Sequence, residues 1–184
     1  MGVRHSLSPH LGRAAAGPRK TTLGIPREEL RRSLAGEWLG VGEGSYAGVP
    51  TFRCREHLTL TLEPGWSMLS VLQRTWRADG EVADAALHLE AGVLRTRDDD
   101  TLVFGCGPDS GRIDAMTGTA TREAGRLRID WVTIAHGNDD RLVRMGRTWW
   151  VGAHDFHSEA HLATVRTPAY RKHLVAELRR RDRG

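Results

Sequence analysis

The stretch Arg126-Leu127-Arg128-Ile129-Asp130-Trp131-Val132-Thr133-Ile134-Ala135 alternates between two faces. Leu127, Ile129, Trp131 and Thr133 fall on one side, and Arg126, Arg128 and Asp130 on the other. That two-residue period belongs to a half-buried β-strand and not to a helix. The same period recurs outward in both directions. Between Arg55 and Leu62, the side chains of Leu58, Leu60 and Leu62 alternate with His57, Thr59 and Thr61. Further strand-like runs lie at 68–76, 87–95, 101–106, 113–121, 141–151 and 156–166, parted by turn-forming segments such as Asp79-Gly80 and His136-Gly-Asn-Asp-Asp140. No ten-residue helical stretch separates them. This disfavours a doubly wound α/β fold and predicts one all-β domain, an antiparallel sandwich or barrel.

The ends of the chain read differently. Residues 1–32 carry seven cations against Glu28 and Glu29, a surplus of five that accounts for the whole formal charge of +4. The segment has no aromatic residue and is rich in Ser, Gly, Pro and Ala, so it cannot bury enough apolar surface to offset its ordering entropy. Residues 1–29 are therefore expected to be a disordered basic tail, and residues 30–184 the folded domain. The missing aromatics also argue against a nucleic-acid arm. Pro26 to Leu30 reads as a short helical turn. At the other end, Tyr170, Leu174 and Leu178 stand four apart as on a helix, yet Leu174, Ala176 and Leu178 also alternate with His173, Val175 and Glu177 as on a strand. Local pattern leaves both readings open.

Composition excludes several classes. The 184 residues are 39% apolar, with a mean hydropathy of −0.44. No run of about 18 apolar residues exists to cross a membrane, and the N-terminus lacks the apolar core of a secretory signal. Cys54 and Cys106 are too few for a disulfide scaffold or a structural zinc site and read as reduced thiols in a cytoplasmic protein. Among the nine histidines, His154, His157 and His161 cluster in sequence, but residues 154 and 157 fall on opposite faces of a strand.

The most distinctive segment is Gly36-Glu-Trp-Leu-Gly-Val-Gly-Glu-Gly-Ser-Tyr46. It is not a phosphate loop, because no Lys-Ser/Thr follows and no strand–helix unit surrounds it. In a β protein, alternate glycines let a strand coil tightly, or let another backbone or a flat ligand approach.

Gly36-x-Trp38-x-Gly40-x-Gly42, continuing to Gly44, Ser45 and Tyr46, resembles the signature of the nitrobindin family. Phe52, Arg55-Glu56, Gln73-Arg74-Thr75-Trp76, His88-x-Glu90-x-Gly92-x-x-Arg95, and Pro168 followed by His173-Leu174 extend the likeness over residues 30 to 181. The resemblance implies an up-and-down antiparallel barrel of about ten strands, of the calycin or fatty-acid-binding-protein type, with the C-terminal segment as its last strand. It further implies one haem b per chain. The iron would be bound axially by His173, which is thereby the catalytic and metal-binding residue, with Gly36, Trp38, Gly40 and Gly42 at the cofactor. The expected ligands are nitric oxide on ferrous iron and peroxynitrite, isomerised to nitrate, on ferric iron; a homodimer is compatible with this reading. The alternative is a haem-free barrel that carries a small apolar ligand. The chain departs from the family pattern at Ala47-Gly48 where Pro-Thr is usual, with Thr51 nearby, and at Leu62-Glu-Pro-Gly65 in place of a His-x-Gly turn. It also has one extra residue between Pro168 and His173. The first two changes lead us to expect a less polar open face at the cofactor.

Overall fold

Each alternating run becomes a strand in the computed structural model, which describes residues 24–46, 49–79 and 84–181. A single helix, α1 (Arg27–Leu34), precedes β1 (Gly36–Tyr46), β2 (Val49–Leu62), β3 (Met68–Arg77), β4 (Ala86–Thr96), β5 (Leu102–Pro108), β6 (Ile113–Glu123), β7 (Arg126–Gly137), β8 (Leu142–Val151), β9 (Asp155–Thr164) and β10 (Arg171–Arg180). Every strand pairs antiparallel with its chain neighbours, and β1 also pairs with β10, closing the barrel. The expected all-β barrel of ten strands is therefore the fold. The alternation in 126–135 sorts the side chains as expected: Leu127, Ile129 and Trp131 are buried, while Val132 and Ile134 stay exposed.

Up-and-down topology sends alternate turns to opposite ends. The turns near residues 63–67, 97–101, 124–125 and 152–154 lie at one end, which α1 closes. Glu28 and Glu29 in its first turn and Arg31 and Arg32 in its last suit the helix dipole. Its Leu30 and Leu34 enter a core with Trp38, Leu60, Leu69 and Phe156. Arg27 pairs with Asp100, and Arg122 with Glu29, so the helix is fastened to the β4–β5 turn and to the end of β6. Arg180 of β10 donates to the Ser33 and Ala35 carbonyls at the helix C-terminus, and its guanidinium lies 4.0 Å from the Trp38 ring centroid.

One sequence expectation changes here, and one reading left open is decided. Ile25 is buried in this core, so the folded part begins inside the stretch expected to be tail; residues 1–23 lie outside the described residues. The four-residue spacing of Tyr170, Leu174 and Leu178 does not make a helix. That segment is β10, the last strand the resemblance implied, because closing the barrel offers its backbone groups partners on both β1 and β9.

The glycines of β1 serve this closure. A Cβ on Gly40 would stand 2.0 Å from the Glu177 carbonyl oxygen, and one on Gly44 would strike the Phe52 ring. Only glycine permits β10 and Phe52 to approach so closely.

Candidate functional site

At the end opposite α1 the barrel opens into a cavity of about 1100 Å³, slightly larger than the usual range for ligand pockets. Its apolar walls include Phe52, Leu58, Val71, Trp149, Leu162 and Leu174. Strict alternation along β10 would place His173 on the face opposite Leu174. The register of β10 on β9 instead slips by one residue, Lys172 facing His161 and Leu174 facing Ala160. The extra residue forms a bulge, and both His173 and Leu174 border the cavity.

The His173 ring is half-buried at the rim and fixed from two sides. Its Nδ1 lies 3.2 Å from the Ser45 carbonyl oxygen. A carbonyl only accepts, so Nδ1 carries the proton and Nε2 keeps its lone pair. The Tyr46 ring meets it edge-on at 3.7 Å between centroids, and Tyr46 in turn stacks on Phe52. Burial holds the His173 pKa below the ordinary imidazole value, against the opposing bond to Ser45. The group is a neutral imidazole with an available nitrogen, the form in which histidine ligates a metal. Tyr46 and Phe52 offer the rim a flat aromatic surface.

Below the rim the interior turns polar. Glu56 on β2 faces Thr75 on β3, which faces His88 on β4; one step deeper, Gln73 faces Glu90. From the opposite wall Arg147 donates two hydrogen bonds to the Glu90 carboxylate, at 2.6 and 2.5 Å. Both residues are buried. Burial alone would raise the Glu90 pKa, but Arg147 more than offsets it and the group lies below its ordinary value. For Arg147 burial opposes the charge, and Glu90 again prevails, keeping it protonated. Burial pushes the Cys54 thiol up to about 11 and the Cys106 thiol up to about 12, so neither is a ready nucleophile. One ligand atom each from Glu90, Cys106 and Asp114 lie within 4.8 Å of one another. With Glu90 engaged by a guanidinium and Cys106 protonated, that trio is unsuited to a cation.

Glu56 is the unusual group. It is fully buried, and its Oε2 has no hydrogen-bond partner among the described residues. Desolvation, opposed by the Gln73 hydrogen bond and the nearby Arg147, lifts its pKa to about 7. The fold therefore holds a proton that the unfolded chain releases near pH 4.5. Between those values the folded state binds more protons, so stability falls as pH rises through this window. Above it the cost is about 3 kcal/mol, at about 1.4 kcal/mol per pKa unit. Glu56→Gln is expected to exceed the parent in stability by about 2 kcal/mol at about pH 8 and to match it at or below about pH 4.5, read from urea unfolding at the two pH values.

The structure separates the residues that the sequence grouped. His173 lines the cavity, whereas Gly36, Trp38, Gly40 and Gly42 do not. Trp38 is buried toward the helix-closed end, donating from Nε1 to the Leu34 carbonyl and packing edge-on against Phe156. Gly36 lies against the Arg180 guanidinium, and Gly40 and Gly42 against the β10 backbone. These four residues pack against protein and do not border the cavity. The Leu62-Glu-Pro-Gly65 turn is likewise at the helix-closed end, Thr51 points outward, and Ala47-Gly48 lie outside the described residues. Deeper in the barrel, Glu56, Gln73 and Arg147 supply polar groups. Arg147 was missed in the sequence. It is the charged residue in the inward series Met145, Arg147, Trp149, Val151 of β8, and that break in the pattern was its signal.

Comparison with known proteins completes the description. The family model of the THAP4-like, heme-binding beta-barrel domain matches residues 30–180. A protein of Arabidopsis thaliana named peroxynitrite isomerase Rv2717c is 28% identical over 116 residues, covering 62% of this chain and 65% of that protein, just under two thirds of its length. A peroxynitrite isomerase of Nocardia farcinica is 29% identical over 170 residues, covering 91% of this chain and 98% of its own. The crystal structure of Rv2717c from M. tuberculosis superposes with a TM-score of 0.76 at 20% identity, covering 86% of this chain and 99% of that one, which establishes the likeness of fold. Among the described residues, no helix is long and apolar enough to cross a membrane.

Proposed function

The chain belongs to the family of THAP4-like, heme-binding beta-barrel domains, and on that premise we propose that it holds one haem b in the mouth of the cavity, axially bound by His173, and isomerises peroxynitrite to nitrate. The observation that carries this reading is the state of His173: neutral, at the rim, with Nδ1 engaged by Ser45 and Nε2 free. Those features fit an axial ligand of haem iron, and the apolar upper walls fit a macrocycle's faces. When bound, the haem would supply Lewis acidity toward the anionic substrate.

The chain's own residues do the rest. The Ser45 carbonyl fixes the tautomer and raises the basicity of the ring, as hydrogen-bonded partners of metal-bound histidines do. Tyr46, seated edge-on, restricts rotation of the imidazole. Conversion of peroxynitrite to nitrate consumes no proton and no external reductant, so the site needs no Ser/His/Asp triad or paired carboxylates.

Stopped-flow absorbance with haem-loaded protein tests the activity. Peroxynitrite should decay faster than with free haem at equal concentration, with nitrate as the main product and no acceleration by the unloaded protein. Decay no faster than with free haem would refute the assignment.

A further inference from the structure

The cavity rim is rich in cations, and most are already engaged. Arg77 is paired with Asp79, Arg112 with Asp114 and Asp139, Arg141 with Asp139, and Lys172 with Glu159. Two lining guanidiniums differ. Arg166, between β9 and β10, and Arg171, the first residue of β10, have no ion pair among the described residues. Both are exposed at the rim, and Arg171 stands two residues before His173. Arg171 faces Leu162 across the β9–β10 ladder, and Leu162 itself borders the cavity, so its backbone position is on the inward side of the wall.

The floor has the opposite character. It presents Glu56 and Glu90, and its guanidinium, Arg147, is consumed bidentately by Glu90. A ligand carrying carboxylates could not place them there without burying unpaired negative charge beside existing carboxyl groups. The rim offers solvent and two uncommitted guanidiniums, whose planar forks suit carboxylate oxygens. We propose that Arg166 and Arg171 receive the two propionate carboxylates of the haem, so that the macrocycle enters with its charged edge at the mouth and its apolar edge inward. The inference rests on the haem reading above and adds to it the residues that orient the cofactor. Axial ligand and carboxylate anchors then all lie within residues 166–173, and the bulge in β10 sets their spacing.

The test compares haem with its dimethyl ester, whose carboxylates are masked, in absorption titrations of the full chain. The parent is expected to bind haem on the order of 10-fold more tightly than the ester, a preference that shrinks as salt is raised. Arg166→Gln/Arg171→Gln should lose that preference, with haem affinity falling by about the same factor and ester affinity unchanged. Its thermal melt should match the parent, because both side chains are exposed. An unchanged haem affinity in the variant, or an equal loss for haem and ester, would overturn the proposal. A parent that develops no Soret band with either compound would instead refute the haem reading, a distinct outcome.

Discussion

His173→Ala is expected to abolish the Soret band that the parent develops when titrated with haem, or to weaken apparent affinity by on the order of 100-fold or more. The expectation follows from the separation of tasks at the rim. The imidazole is half-buried, its contacts are one bond to the Ser45 carbonyl and one edge-on meeting with Tyr46, and the barrel core lies deeper. Losing the ring should therefore cost about 1 kcal/mol of stability and leave the fold intact. Free imidazole added to the variant should restore part of the band by entering the space left by the side chain. A variant that binds haem with the parent's affinity and spectrum would show that iron is held elsewhere.

The largest stability effect is expected inside the barrel. Arg147→Met strands the Glu90 carboxylate in an interior where burial otherwise raises its pKa. Breaking a buried pair from one side costs about 3–5 kcal/mol, a large share of the roughly 5–15 kcal/mol that holds a domain folded. The penalty should shrink as pH falls, because Glu90 can then take a proton, whereas in the parent Arg147 keeps it ionised. Combining Arg147→Met with Glu90→Gln removes both charges and should recover most of the loss. Chemical unfolding of the parent, single and double variants at two pH values checks the argument. A single variant as stable as the parent would mean that the ion pair contributes nothing net.

Much of this architecture was legible in the chain itself, for reasons that particular residues illustrate. Leu127, Ile129 and Trp131 could be placed on one face because β7 has a dry side and a wet side, and period two survives any change in neighbouring strands. Leu174 and Leu178 could not, since a four-residue spacing satisfies both a helix and a strand; the decision came from pairing with β1 and β9, which is long-range. The bulge at Lys172–Leu174 was hidden for the same reason, and with it the cause of His173 bordering the cavity. The glycine motif was legible as a motif, but the close approach of β10 and Phe52 that its residues permit is long-range and could not be read from it. Glu56 and Arg147 carried a visible mark, a charge on the apolar phase of a strand, which reads only once the inner face of each strand is known.

Closure of the ladder from β1 to β10 has a consequence for the protein before any cofactor arrives. An open sheet ends in two rows of unclaimed amides that can recruit a neighbouring chain, a hazard that circular pairing removes. The ten described strands leave no such row open, so two copies of the barrel that meet while unloaded cannot lengthen a shared sheet through them, which is the commonest route to fibrous self-assembly.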